Sequence, residues 1–280
     1  MDEEYKKELK KLVKWPATDK LREKLLECEN IQDTLMYIYP HIIHNTQLEL
    51  MEMIIIEFNF DVTCDNNKPI TIFCECEYMF DHFRMVQLLV KYGADYTIFI
   101  KKFYENRDNI KHFFESHLTL EHLKILLDWG FDFSVHDSIV LYLICEHKCI
   151  CCRPPENIDL VKFLVDNCPN LDINCCDGKS LISCVNNFKI EHAKLLLECG
   201  ANVSCCNDMP IRQAVASGNQ KMVQLLLDYG ANIKVFENNK FKSNQHETIY
   251  EILVSRGISE RDIAIFFMNI VAKLKKIELI

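Results

Sequence analysis

A short pattern that returns through most of the chain constrains the fold more than any other feature of the sequence. An apolar stretch such as VQLLLDYG ends in glycine or asparagine, and an Asp or Asn follows two residues later. These acidic or amide residues, called the ruler residues below, recur 30 to 40 residues apart: Asp61, Asp95, Asp132, Asp172, Asn202 and Asn232. A period of this size is typical of solenoids built from helix pairs, and the longer intervals predict insertions in loops.

The residues of one unit predict a helix that ends at its glycine. Val223, Leu226 and Leu227 lie at i, i+3 and i+4, which places them on one face of a helix. Gly230 follows them, and glycine ends a helix readily because it adopts left-handed backbone angles without a Cβ penalty. We expect the same left-handed backbone at the matching places: Gly93, Gly130, Gly200, Asn59 and Asn170.

The stretch DMPIRQAVASGNQKMVQLLLDYGANI, residues 208–233, resembles the ankyrin repeat consensus. The consensus opens its first helix with T-P-L-H-x-A, turns at a glycine, and closes with V-x-L-L-L-x-x-G-A-[DN]-V; here Arg212 replaces the His. The resemblance implies an all-α ankyrin-repeat solenoid of helix pairs with short β-turn fingers and helical caps. The Ile-, Lys- and Asn-rich composition is also similar to that of ankyrin proteins of large DNA viruses.

The resemblance divides the chain into a repeat region and two ends. Residues 33–242 are predicted to hold about six repeats, a number that follows from the period. The ends of such a stack need polar outer faces. Residues 1–32 fit an N-terminal helical cap, with charged amphipathic helices predicted at 3–14 and 19–28. Residues 243–280 fit a C-terminal degenerate repeat with a capping helix; the alternative for the last helix is a separate docking element. Loop insertions are expected near 98–107 and 147–156.

The cysteines are the strongest candidates for metal ligands, but the sequence predicts no metal and no cofactor. One cluster lies around the second insertion and comprises Cys145, His147, Cys149, Cys151 and Cys152. Cys145 and Cys149 have the spacing of a zinc-ligand pair. The pairs Cys175-Cys176 and Cys205-Cys206 occupy matching places in adjacent repeats, so we expect one cysteine of each pair to pack inward and the other to face solvent.

Several function classes are disfavoured by what the sequence lacks. It has no G-x-S-x-G, P-loop or H-E-x-x-H motif, and its histidines are scattered, with His122 and His192 predicted to lie at the surface. A net charge of −9 argues against a general nucleic-acid binder. No apolar run approaches the ~20 residues of a membrane helix, and the charged start is no signal peptide. The expectation is a non-enzymatic intracellular monomer, cytoplasmic or nuclear, that binds neither nucleic acid nor membrane.

The resemblance implies that the partner is another protein, bound on the concave face formed by finger tips and first helices. Carried onto the two clearest repeats, the family geometry assigns the contact to six residues: Asp177, Lys179, Asn207, Asp208, Arg212 and Gln213. Two alternatives stay open. The chain could be an adaptor that recruits a target to a larger complex such as a ubiquitin ligase, or a zinc- or redox-responsive binding protein that uses the cysteine-rich loop.

Overall fold

The computed structural model describes residues 2–15, 17–75, 83–115, 119–146 and 154–232, together with residues 235, 252 and 255. These residues form fifteen α-helices and no strand. Within the same residues, no helix combines the length and apolar character that crossing a membrane requires. The chain divides into two compact units, Met1–Phe131 and Asp132–Ile280.

Nine helices are formed by the described residues of the first unit. Their bounds are α1 Glu3–Lys14, α2 Thr18–Leu26, α3 Ile31–His44, α4 Leu48–Phe58, α5 Cys64–Glu75, α6 Phe83–Lys91, α7 Tyr96–Glu105, α8 Arg107–Glu115 and α9 Leu120–Asp128. Helices α1, α3, α5 and α7 pack against one another in that order, while α4 packs on α6. The charged helices expected over residues 3–14 and 19–28 are α1 and α2.

Helix α1 begins and packs as its charge pattern predicts. The Asp2 side chain accepts a hydrogen bond from the backbone N–H of Tyr5, which caps the start of the helix. Leu9 and Val13 are fully buried. Arg22 of α2 donates two hydrogen bonds to the Glu57 carboxylate of α4, at 2.6 and 2.8 Å. This ion pair joins the helix pair α1 and α2 to the pair α3 and α4.

Residues 98–107, expected as an inserted loop, lie mostly in α7. Asp95 caps this helix by accepting a hydrogen bond from the Thr97 N–H at 2.9 Å. Phe99 and Phe103 lie one turn apart and are fully buried, so the stretch is amphipathic and packs as the first helix of its pair. The element that exceeds the two-helix pattern is α8, which is helical and buries Phe113 in the same aromatic cluster.

The second unit contains six described helices in three pairs. Their bounds are α10 Val135–Glu146, α11 Pro154–Asn167, α12 Cys175–Asn186, α13 Ile190–Glu198, α14 Cys205–Ala216 and α15 Gln220–Asp228. The first helices pack in the order α10, α12, α14, and the second helices in the order α11, α13, α15. Leu196 and Leu226 hold the same place in α13 and α15 and are both fully buried. This is the predicted all-α arrangement of stacked helix pairs.

The left-handed residues at the ends of the second helices are confirmed in five of the six units. Asn59 has φ +51°, and Gly93, Gly130, Gly200 and Gly230 are also left-handed. The prediction for Asn170 was wrong. Pro169 has no N–H with which to continue the helix, and the chain instead makes a turn closed by the Leu171 N–H, which donates to the Cys168 carbonyl at 3.0 Å.

The remaining predicted segments lie outside the described residues. They include the loop 147–153, and the proposed C-terminal repeat and capping helix at 243–280 apart from the isolated residues 252 and 255.

Candidate interaction surface

A tight left-handed turn follows the ruler residue in all three described repeats of the second unit and lies within the first residues of α10, α12 and α14 as bounded above. We call these segments finger turns; they are residues 136–138, 176–178 and 206–208. All nine residues have positive φ, between 49° and 74°. Each turn closes with a hydrogen bond from its third N–H to the carbonyl four residues earlier, at 2.9 Å from Gly178 to Asn174. The finger predicted as a β-turn is therefore a left-handed turn, which Asn, Asp and Gly tolerate best.

The ruler residues that precede the three finger turns recur because each side chain holds the start of its turn. Asp132, Asp172 and Asn202 each accept, through Oδ1, a hydrogen bond from the N–H two residues on, at 2.9, 2.9 and 3.0 Å. Asp and Asn have a short side chain with an acceptor oxygen that reaches this N–H. The pattern first seen in the sequence is therefore a requirement of the backbone.

Side chains of one repeat also hold the ruler residue of the next. The Asp172 N–H donates to Ser138 Oγ at 2.9 Å, and the Asn202 N–H donates to Asn174 Oδ1 at 2.7 Å. Asn174 Nδ2 in turn donates to the Gly200 carbonyl at 3.2 Å. These bonds fix each finger turn of the second unit relative to its neighbour.

Among the described residues of the first unit, one finger turn has the same construction, residues 65–67. The Asn67 N–H donates to the Thr63 carbonyl at 2.9 Å, and Asn67 Oδ1 accepts from the N–H of Asp95 at 2.8 Å. The next repeat of this unit has no finger turn, because α7 begins directly after Asp95.

The middle residue of every finger turn is exposed. In the second unit these are Asp137, Asp177 and Asn207, each five residues after its ruler residue. The third residues face inward at Ser138 and Gly178, which are buried. Asp137 was missed by the sequence reasoning, although counting five residues from Asp132 would have found it.

The six predicted contact residues are all at least partly accessible, and some are brought together. Asp177, Lys179 and Asn207 are exposed. Arg212 Nε donates to the Asn207 carbonyl at 3.0 Å, so this side chain braces its own finger turn. Neighbouring turns are also joined, because Cys206 Sγ donates to the Asp177 carbonyl at 3.2 Å.

The remaining two predicted residues, Asp208 and Gln213, are half-buried. Asp208 is the third residue of its finger turn, and its N–H donates to the Ser204 carbonyl at 3.2 Å. Gln213 lies in the second half of α14, with Nε2 3.5 Å from Met209 Sδ.

The paired cysteines divide as expected, one inward and one outward. Cys175 and Cys205 are buried, Cys206 is exposed and Cys176 is intermediate. Burial raises the pKa of the Cys175 thiol to about 12 and that of Cys205 to about 11. Inward thiols of this kind are protonated at neutral pH and pack as small apolar side chains.

The candidate metal cluster is described only at Cys145. This residue is buried in α10, where a hydrogen bond with Cys184, together with burial, raises the pKa of its thiol. Cys145 therefore contributes to helix packing in the second unit. Its predicted companions His147, Cys149, Cys151 and Cys152 lie outside the described residues. Among the residues described, no three His, Cys, Asp or Glu side chains are grouped so that they could hold a metal ion.

The two histidines predicted at the surface lie deeper than expected. His192 is 4% exposed. His122 is half-buried at the start of α9, where it forms a capping box with Thr119: Thr119 Oγ1 accepts from the His122 N–H, and His122 Nδ1 accepts from the Thr119 N–H. Burial lowers the pKa of His122. The surface assignment was wrong because this helix position faces the core.

Comparison with known proteins identifies the repeats in the second unit. Residues 147–237 match the family model for ankyrin repeats (3 copies). This match, together with fifteen helices and no strand in the described residues, confirms the predicted ankyrin-repeat fold class. No curated protein and no solved structure matches the chain. Ankyrin repeats generally mediate protein–protein binding and are typically non-catalytic. The likeness to ankyrin proteins of large DNA viruses stays a prediction.

Proposed function

We propose that this chain is a non-enzymatic scaffold that binds one protein partner through the finger turns and first helices of its second unit. The contact surface comprises Asp177, Lys179, Asn207, Asp208, Arg212 and Gln213, on the face expected to be concave, together with Asp137. The observation that carries the proposal is the row of exposed middle residues on finger turns that hydrogen bonds hold in place.

Rigid finger turns favour binding because little conformational freedom is lost when a partner docks. The cost of ordering loops is a large part of what opposes association. Here the ordering is already complete, since each turn is closed internally and bonded to its neighbour.

The mixture of charges on this surface favours a protein as the ligand. Lys179 and Arg212 lie among Asp177, Asp208 and the polar Asn207. A polyanion would require clustered cations without interspersed carboxylates. Complementary charges on a protein surface satisfy both signs and fix the register of the complex.

We also propose a cellular compartment for this scaffold and a role for its two ends. Eleven cysteines are described and all are free thiols, as in proteins of reducing compartments, so we place the protein inside the cell. Residues 1–32 and 243–280 would close the two ends of a monomeric repeat region over 33–242. The adaptor and zinc alternatives depend on the C-terminal helix and the cysteine-rich loop, for which the described residues give no support.

The test is a charge exchange on the proposed surface with a matched exchange elsewhere. Asp177→Lys combined with Arg212→Glu keeps the net charge and reverses two contacts. The control, Glu191→Lys with Lys194→Glu, does the same to two exposed residues of the second helix α13. A partner is first identified by affinity capture with the unmodified chain, and its affinity for each purified variant is then measured by calorimetry.

We expect the finger variant to bind at least about tenfold more weakly, since charge pairs at an interface contribute this much. The control should stay within about twofold of the unmodified chain. Equal affinities for the two variants would place the contact elsewhere on the protein.

A further inference from the structure

Helix α1 presents a stripe of four lysines to solvent. Lys7, Lys10, Lys11 and Lys14 lie at i, i+3, i+4 and i+7, which is the spacing of one helix face. All four are exposed. The opposite face of α1 carries the fully buried Leu9 and Val13.

None of the four stripe lysines forms a salt bridge within the described part of the chain. Two nearby carboxylates pair with other lysines: Glu3 with Lys6 at 2.7 Å and Glu8 with Lys24 at 3.2 Å. Lys10 Nζ lies 5.6 Å from the centre of the half-exposed Tyr37 ring of α3. The stripe therefore offers cationic groups that carry no salt bridge, beside an aromatic ring.

Trp15 adds a large apolar side chain at the end of the stripe. It follows Lys14 directly, caps α1 through its N–H to the Lys11 carbonyl at 3.0 Å, and is 73% exposed. This is the highest exposure among the large apolar side chains described. Tryptophan is enriched at interface hot spots, because it buries much apolar area with little loss of conformational freedom.

We propose that the stripe and Trp15 bind a short acidic segment of another protein, with an apolar residue of that segment packed on the indole. The partner is defined by charge complementarity with Lys7, Lys10, Lys11 and Lys14 and by the adjoining apolar ring. The site lies in the first unit and shares no residue with the finger turns of the second unit, so the two surfaces are tested independently.

The overall charge of the chain favours a short segment over an extended polyanion. The stripe is about 10 Å long, seven residues at 1.5 Å each, which is close to the Debye length at physiological salt. A nucleic acid or an anionic bilayer continues past this length and meets a protein of net charge −9. A membrane would also need the apolar face of α1, which is buried in the core.

Binding of a defined probe to the full chain tests this inference. The probe is a fluorescently labelled glutamate-rich dodecapeptide with one central leucine, followed by anisotropy at low and physiological salt. Three comparison probes are the same peptide with glutamate replaced by lysine, a single-stranded oligonucleotide, and phosphatidylserine vesicles. The emission of Trp15 reports the contact directly, and a Trp15→Phe variant separates it from Trp129, the other tryptophan of the chain.

Two variants assign the binding to the stripe. Replacing all four stripe lysines by glutamine should weaken the acidic peptide about tenfold, the sum of several exposed charge pairs, and Trp15→Ala should weaken it several-fold. A control with four scattered exposed lysines replaced by glutamine, Lys91, Lys124, Lys162 and Lys194, removes the same charge and should retain binding. Circular dichroism verifies that each variant keeps its helices.

The inference is overturned if the acidic peptide does not bind, if the stripe and scattered variants lose affinity equally, or if the oligonucleotide or vesicles bind more tightly than the peptide. Loss of partner binding at the finger turns would leave these measurements unchanged.

Discussion

The Asn174 side chain bonds two backbone groups of the following repeat: Oδ1 accepts from the Asn202 N–H at 2.7 Å, and Nδ2 donates to the Gly200 carbonyl at 3.2 Å. One carboxamide thus joins a finger segment to the end of the next helix pair. Contacts between adjacent repeats largely set the stability of a repeat protein, so this polar bridge should contribute measurably beside the apolar packing.

Replacing Asn174 by Ala should lower the free energy of unfolding by about 0.5–1.5 kcal/mol, the net contribution of a hydrogen bond, because it removes the acceptor of the Asn202 N–H. Asn174→Asp keeps that acceptor and should cost less. Urea denaturation measures both. Asn187→Ala is the control, since the Asn187 amide donates to Ser183 in its own helix; an equal cost there would show that the bridge between repeats has no special weight.

Gly178→Ala should be far more damaging than Gly200→Ala. Both glycines have positive φ, +74° and +88°, where alanine costs about 1–2 kcal/mol. A Cβ at 178 would also lie 2.6 Å from the Cys205 Cβ, whereas at 200 it would meet nothing within 4 Å. Both variants introduce a similar backbone strain, so the difference between their melting temperatures reports the clash with Cys205. Equal melting temperatures would mean that Cys205 does not pack against Gly178.

Leu196→Ala and Leu226→Ala should each cost about 2–5 kcal/mol, the usual range for a buried leucine. Both side chains are fully buried in matching places of α13 and α15. Leu26→Ala removes the same atoms from a site that is 68% exposed and should change stability by no more than about 0.5 kcal/mol. Equal denaturant midpoints for the three variants would contradict the assignment of Leu196 and Leu226 to buried positions.

The Asp61 carboxylate should add an acid-sensitive contribution that Asn does not. Hydrogen bonds from the Thr63 hydroxyl and backbone N–H hold the pKa of Asp61 below its ordinary value of 3.8. When the folded-state pKa of a carboxyl lies below its unfolded-state pKa, the ionised group stabilises the fold fully at pH values above the unfolded-state pKa. This stabilisation is lost as pH falls through the folded-state pKa. Asp61→Asn, which copies the acceptor of Asn202, should therefore flatten the acid limb of the stability curve. A carboxyl-carbon NMR titration of Asp61 that gave an unshifted pKa would contradict this.

Much of the fold was readable from the sequence because its main signals are local. The spacing of Val223 and Leu226, and the glycine that ends their helix, depend only on helix geometry and on the backbone freedom of glycine. The bounds of α1 followed from its charged amphipathic pattern. The ruler residues were recognised as a repeat, although their cause, the bond to the N–H two residues on, appeared only in the structure.

What the sequence missed depends on contacts between distant residues. The left-handed finger turns use Cys176 and Cys206, residues with no special preference for positive φ, and become intelligible only with the bonds between repeats. The burial of His192 and the packing of Phe99 likewise depend on neighbouring helices. On the candidate surface, Asp177 and Asn207 were found by family resemblance, whereas Asp137 required the register of the turns.

Adjacent cysteines provide the sharpest test of the finger geometry. Cys206 is exposed at the start of its turn, while Cys205 is 6% exposed and has a pKa raised to about 11 by burial. The thiolate is the reactive form, so both its burial and its protonation make Cys205 the less reactive thiol.

A maleimide at neutral pH should therefore label Cys206 in the native protein and leave Cys205 unmodified, with the sites assigned by peptide mass mapping. In urea the two should react alike, since they share one local sequence. Raising the pH should increase labelling of Cys205 only as its pKa is approached. Comparable native rates at the two residues would show that the turn at 206–208 does not hold Cys205 inward.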